Sequence, residues 1–194
     1  MKTKSVNFTL QLYQSPQTVF LANEIGMLTK EDNEQNLKSR INYYVKRGVL
    51  TSPRKGIYVK PGFNSFELGE KIYKPSYISL QTVLESEGVI FQDYQTIFLV
   101  SYLSRELKVD RLTFSYRKIK NDILINTSGI IQKDNYWIAE KERAFLDMVY
   151  LYGNYYFDNL GNINWQKCFD IAGIYRQKKL IKRLNKYFEE SKNA

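Results

Sequence analysis

The chain has 194 residues, with 29 Lys plus Arg against 20 Asp plus Glu for a formal net charge of +9, and it contains no histidine and a single cysteine. That inventory excludes His-based general acid/base catalysis, Ser-His-Asp and Cys-His nucleophiles, and zinc held by His or by paired Cys. Apolar residues make up 43% and aromatics 15%, enough for one or two folded cores that bury roughly 70% of the extended surface.

Cys168 alone closes no intramolecular disulfide, so nothing in the sequence asks for an oxidising compartment. Residues 1–5 are basic, but the stretch that follows is too short and too polar for a signal peptide. The longest apolar runs, such as Ile97 to Val100, fall far short of the roughly 18 residues a membrane helix requires. A soluble cytoplasmic protein without a membrane partner is the expectation. Lys outnumbers Arg 20 to 9, and Asn, Ile and Tyr are frequent, a bias that an AT-rich genome imposes on any protein. The distribution of charge is therefore more telling than its total. Residues 1–60 hold ten cations and four acids, residues 61–132 eight of each, and residues 133–194 eleven against eight. The excess lies at the N-terminal end, where a phosphate-binding surface would concentrate it.

In chain order, Asn7 to Tyr13 predicts a short helix stopped by Ser15-Pro16. A second helix of about two turns carries Leu21, Ala22 and Ile25, with Gly26 as its left-handed end. The third element runs from Asp32 or Asn33 to Arg47, and its apolar residues Leu37, Ile41, Tyr44 and Val45 form one helical stripe ended by Gly48. Opposite that stripe stand Gln35, Ser39, Asn42, Tyr43 and Lys46, with Lys38, Arg40 and Arg47 on the flanks. Amides and hydroxyls ringed by cations are the chemistry that reads base edges while holding phosphates; an ordinary solvated face more often shows Glu/Lys pairs. Two β-prone segments follow, Val49 to Thr51 and Ile57 to Val59, joined by a turn containing Pro53, Arg54, Lys55 and Gly56. Two helices, a basic third helix and a cation-tipped hairpin predict a winged helix-turn-helix. In that reading Gln35, Ser39, Asn42 and Tyr43 meet bases, Lys38, Lys46, Arg54 and Lys55 meet phosphates, and Arg47 is a DNA-binding cation on the flank.

Lys60-Pro61-Gly62 marks a boundary. The expected organisation is α+β, with a winged helix-turn-helix over residues 1–62 and a mixed α+β domain over residues 72–194. In the latter, Pro75 to Leu84 predicts a helix capped by Ser76, and Thr96 to Tyr102, Arg111 to Arg117, Ile123 to Asn126 and Tyr136 to Ile138 predict strands. Glu140 to Tyr152 predicts a helix with Ala144, Phe145, Met148, Val149 and Tyr152 inward and Asp147 in solvent. A short helix capped by Asn164 precedes a last one from about Tyr175 to Glu189, cored by Leu180, Leu184 and Phe188 and faced by Lys178, Lys179, Lys182 and Lys186. No Gly-rich phosphate loop and no His-based metal motif is present, so no catalytic residue, cofactor or metal is expected. A carboxylate site assembled from Asp110, Asp122, Asp134 and Asp147 is the competing enzyme reading, and a winged helix that docks protein alone is the other.

The run Arg40-Ile41-Asn42-Tyr43-Tyr44-Val45-Lys46-Arg47-Gly48-Val49-Leu50, followed by Arg54-Lys55-Gly56-Ile57-Tyr58-Val59, resembles the start of the AbiEi-like antitoxins. These are the transcription-regulating partners in type IV abortive-infection toxin-antitoxin systems. The similarity continues through Tyr77-Ile78-Ser79-Leu80, Gly88-Val89-Ile90 and Ala139-Glu140-Lys141-Glu142-Arg143-Ala144-Phe145-Leu146-Asp147, so it spans most of the chain. The resemblance implies a bifunctional repressor. Its N-terminal domain would bind inverted repeats in double-stranded promoter DNA, and its C-terminal domain would counteract a co-encoded nucleotidyltransferase-like toxin. This chain is short for that family.

Overall fold

The structure, a computed structural model, describes residues 8–192 and forms two units, one running up to Ile72 and the other starting at Tyr73. The basic residues 1–5 and Asn7, the expected start of the first helix, lie outside the described residues.

The first unit runs α1 (Phe8–Gln14), β1 (Val19–Leu21), α2 (Ala22–Thr29), α3 (Glu34–Lys46), β2 (Thr51–Arg54), β3 (Ile57–Val59) and α4 (Ser65–Ile72). Phe8 and Leu12, one turn apart on α1, pack with Phe20, Ile25, Leu37, Ile41 and Leu50 into one core. The three strands form a sheet in the order β1-β3-β2, with β3 antiparallel to both neighbours. Pro53 is tolerated in β2 because β2 is an edge strand. The helix α3 starts where Asn33 accepts the Asn36 N–H at 2.9 Å, and it stops before Gly48 at φ +71°.

Two expectations for this unit are corrected. Gly26 does not end α2. It lies buried inside the helix, where an added Cβ would approach the Leu37 side chain to 3.0 Å, and the left-handed end is Lys30 at φ 54°. Nor does the unit stop at residue 62, because α4 adds polar anchors to it. Glu67 accepts the Thr18 N–H at 2.9 Å and its hydroxyl at 2.6 Å, and Lys71 bonds Glu24 at 2.5 Å.

The second unit comprises β4 (Ser76–Ile78), α5 (Gln81–Ser86), β5 (Thr96–Ser101), β6 (Arg105–Val109), β7 (Leu112–Lys118), α6 (Asn121–Leu124), β8 (Ile130–Lys133), β9 (Tyr136–Ala139), α7 (Lys141–Tyr152), α8 (Trp165–Ala172), a 3₁₀ turn (Gly173–Tyr175) and α9 (Lys178–Ser191). Its mixed sheet has the order β6-β7-β5-β4-β9-β8, with β5 and β7 parallel in register from Thr96↔Thr113 to Ser101↔Lys118. The chain is thus mixed α+β throughout.

Ser76 is a strand residue, not a helix cap. The β4 strand is flanked by β5 and β9 and buried along its whole length, and such a short run carries no period that separates strand from helix. Ile123 to Asn126 is likewise no strand, since Ile123 and Leu124 turn inward on the single-turn α6. The edge strands β6 and β8 gave no sequence signal because their residues are mostly polar or exposed. On α9, Leu180, Leu184 and Tyr187 form the buried stripe, and Ile181 is 38% exposed.

Candidate nucleic-acid interface

The helix α3 buries only Leu37 and Ile41 fully, with Tyr44 and Val45 packed against the same core. Its hydrophobic stripe therefore turns the opposite side outward. Gln35, Lys38, Ser39, Asn42, Tyr43, Lys46 and Arg47 are all exposed, as are Arg54 and Lys55 at the end of the β2–β3 hairpin. Among the described residues, the side chains of Gln35, Ser39, Asn42, Lys46 and Lys55 have no hydrogen-bond or ion-pair partner. Polar groups left unmatched within the protein are available to an external partner.

The remaining positions are engaged. Lys38 Nζ lies 2.6 Å from Glu34 Oε1, one turn back on the exposed surface, and this ammonium holds the Glu34 carboxyl below its ordinary range. The charge of Lys38 is thus locally offset by Glu34. Tyr43 is 54% exposed and carries the Arg47 guanidinium 5.7 Å from its ring centre. Arg40 leaves the face altogether, pairing with Glu31 at 3.1 Å and resting 4.9 Å from the centre of the Phe8 ring.

Charge along α3 is thereby polarised. Glu31, Asp32 and Glu34 cluster about its N-terminus, whereas Lys46 and Arg47 sit at its C-terminus, where the helix dipole favours cations. The hairpin adds Arg54 and Lys55, and Gly56 at φ +83° makes its tight turn. Ser52 Oγ lies 3.1 Å from both the Arg54 and Ile57 carbonyls, which share its single proton, and so braces the loop.

A second polar constellation, unanticipated from the sequence, is buried in the other unit. Asp147 and Arg143 are both 0% exposed, which corrects the placement of Asp147 in solvent. Arg143 Nε lies 3.3 Å from Asp147 Oδ1, and Asp147 also accepts from Tyr175 Oη at 2.6 Å, Ser79 Oγ at 2.8 Å and Tyr77 Oη at 3.0 Å. The rest of the guanidinium donates to the carbonyls of Ile123, Asn126 and Ser128 and to Tyr77 Oη. Burial pushes the Asp147 carboxyl above its ordinary range, opposed by Arg143 and the three hydroxyls. Both Asp147 oxygens and all three guanidinium nitrogens of Arg143 are used internally, and the cluster ties α7 to β4, α6 and the 3₁₀ turn. The sequence signal for it is the opposite charges of Arg143 and Asp147 at i, i+4 flanking the apolar run Ala144-Phe145-Leu146.

The other carboxylates considered for a metal are dispersed. Asp110 and Asp134 occupy turns at φ 52° and 51°, and Asp122 faces Arg176 at 3.7 Å on the surface. Among the described residues, no group of three or more Asp, Glu, Cys or His side chains is arranged to hold a metal ion. Among the same residues, no helix is long and apolar enough to cross a membrane. Cys168 is buried, and burial drives its thiol pKa far up. Neither a protein-family model nor a curated protein sequence matches the chain.

Proposed function

We propose that the first unit is a winged helix-turn-helix that binds double-stranded DNA sequence-specifically, and that the protein regulates transcription without catalysis of its own. The observation that carries this reading is the exposed face of α3, where Gln35, Ser39, Asn42 and Lys46 have no internal partner among the described residues, beside the cation-ended β2–β3 hairpin. The order α1-β1-α2-α3-β2-β3 and a sheet arranged β1-β3-β2 are consistent with that architecture. The resemblance to AbiEi-like antitoxins extends the proposal to repression of the protein's own operon through inverted repeats, with the second unit counteracting a nucleotidyltransferase-like toxin.

The test is fluorescence anisotropy on the DNA upstream of the protein's own coding sequence, across a salt series, beside random duplex. Engagement of about four to six phosphates predicts a slope of log affinity against log salt near −4 to −5. Salt-insensitive behaviour, or no preference for the upstream DNA, overturns the reading. Co-expression with the adjacent reading frame tests the antitoxin half, and a nuclease and nucleotide-transfer assay with and without chelator tests the enzyme alternative.

A further inference from the structure

The second unit holds a cavity of about 230 Å³ formed by the segment after α7 and the end of α9. Tyr155, Tyr156, Phe157 and Tyr187 supply its aromatic lining, Asp158 and Glu190 supply carboxylates, and among the described residues no lysine or arginine lines it. In a chain of net charge +9, this concave surface is locally of opposite sign to the whole.

The cavity's frame is fixed by internal bonds. The Tyr187 hydroxyl accepts the Tyr155 N–H at 2.8 Å and donates to the Tyr155 carbonyl at 2.7 Å. Asp158 Oδ2 accepts the Phe91 N–H at 2.8 Å, and the Asn159 N–H reaches the Val89 carbonyl at 3.1 Å. Phe157 is wedged with its ring centre 4.7 Å from that of Phe145 and 5.2 Å from that of Tyr187. Tyr156, by contrast, is 80% exposed at the rim. Glu190 meets Lys186 at 3.6 Å, but both side chains are well exposed, so water screens that pair and an incoming cation competes with it readily.

Aromatic faces attract cations through their quadrupole, and carboxylates complement the same charge. A guanidinium satisfies both, because its flat, weakly hydrated plane stacks on rings while its N–H fork bonds carboxylate oxygens. We propose that this cavity receives an arginine side chain from a basic segment of a partner protein. The two carboxylates select against nucleic acid here, so the proposal stands whether or not the α3 face binds DNA.

The experiment is an NMR amide titration of the full chain with an acetylated Gly-Arg-Gly-Arg-Gly amide and with its citrulline counterpart, which keeps the shape and removes the charge. Saturable shifts confined to residues 153–160 and 187–191 are expected, with Kd near or below about 1 mM and at least about fivefold weaker binding of the citrulline peptide, a fair return for a desolvated cation–π contact. The double variant Asp158→Asn/Glu190→Gln retains an acceptor for the Phe91 N–H and should bind the arginine peptide at least about fivefold more weakly, the loss of charge assistance. Tyr156→Ala removes only an exposed ring and should weaken binding in the same direction. Equal affinity for the two peptides, shifts elsewhere alone, or unchanged binding by both variants overturns the proposal. Sedimentation of the wild type and the double variant covers the other occupant: a wild-type dimer abolished by the double variant would place a second copy in the cavity and also overturn it.

Discussion

Asn42 and Lys46 share the exposed face of α3 one turn apart, yet their chemistry assigns them different roles in the proposed complex. A carboxamide offers a donor and an acceptor in a plane and distinguishes base edges, whereas an ammonium responds to any phosphate. Replacing Asn42→Ala should lower discrimination between operator and random duplex by about 1–3 kcal/mol. Lys46→Ala should weaken both alike and reduce the salt slope by about one. Equal losses on both DNAs for Asn42→Ala would contradict its assignment to readout.

Asp147 permits a pH prediction at the same scale. Burial raises its folded-state pKa, so folding takes up a proton through this group. Its contribution therefore favours the fold most at pH below the ordinary carboxylate range, and fades as pH rises through the folded value. Relative to Asp147→Asn, the wild type should gain stability as pH falls from neutrality toward that range, as read by parallel urea unfolding at several pH values. A difference that is flat or of opposite slope would refute the assignment. Asp147→Ala at pH 7 should cost about 3–5 kcal/mol, because Arg143 is then buried without its counter-ion.

Elements were legible where one face repeats and illegible where burial or exposure is uniform. The stripe Leu37, Ile41, Tyr44, Val45 could only be a helix presenting its other side outward, and Asn33 and Gly48 marked its ends. In contrast, α7 is covered by α5, α8 and α9 as well as β9, so residues Glu142 through Val149 are all buried and no polar face exists to orient a helical wheel. Gly129 shows how tightly such elements meet. It adopts φ +71° ahead of β8, and a Cβ there would lie 2.8 Å from Arg143 Cβ and 2.9 Å from Ile171 Cδ1. Gly129→Ala combines a left-handed backbone with overpacking against the ion pair, and should destabilise by about 3 kcal/mol. A thermal midpoint within error of the wild type would show that the neighbours yield.

At the scale of the molecule, the boundary at Ile72 assigns α4 to the first unit. A chain ending at Ile72 should fold as an independent module, because Glu67 and Lys71 anchor α4 to Thr18 and Glu24. A chain ending at residue 62 loses those bonds together with buried Leu68, and its thermal midpoint should be lower by about 10 °C or more, since each kcal/mol shifts a domain of this size by roughly 4–8 °C. Equal midpoints for the two fragments, measured by circular dichroism, would show that α4 is dispensable.

Composition and period by themselves determined the uneven charge, the absence of His chemistry, the amphipathic third helix and the cationic turn after it, since each is a property of neighbouring residues along the chain. Only the tertiary structure decided that Asp147 is buried among Tyr77, Ser79 and Tyr175, that β4 lies inside a sheet, and that aromatic and acidic residues from two distant segments line one cavity. Those facts depend on contacts between residues far apart in sequence, and local propensity carries no information about which strand or helix comes to cover another.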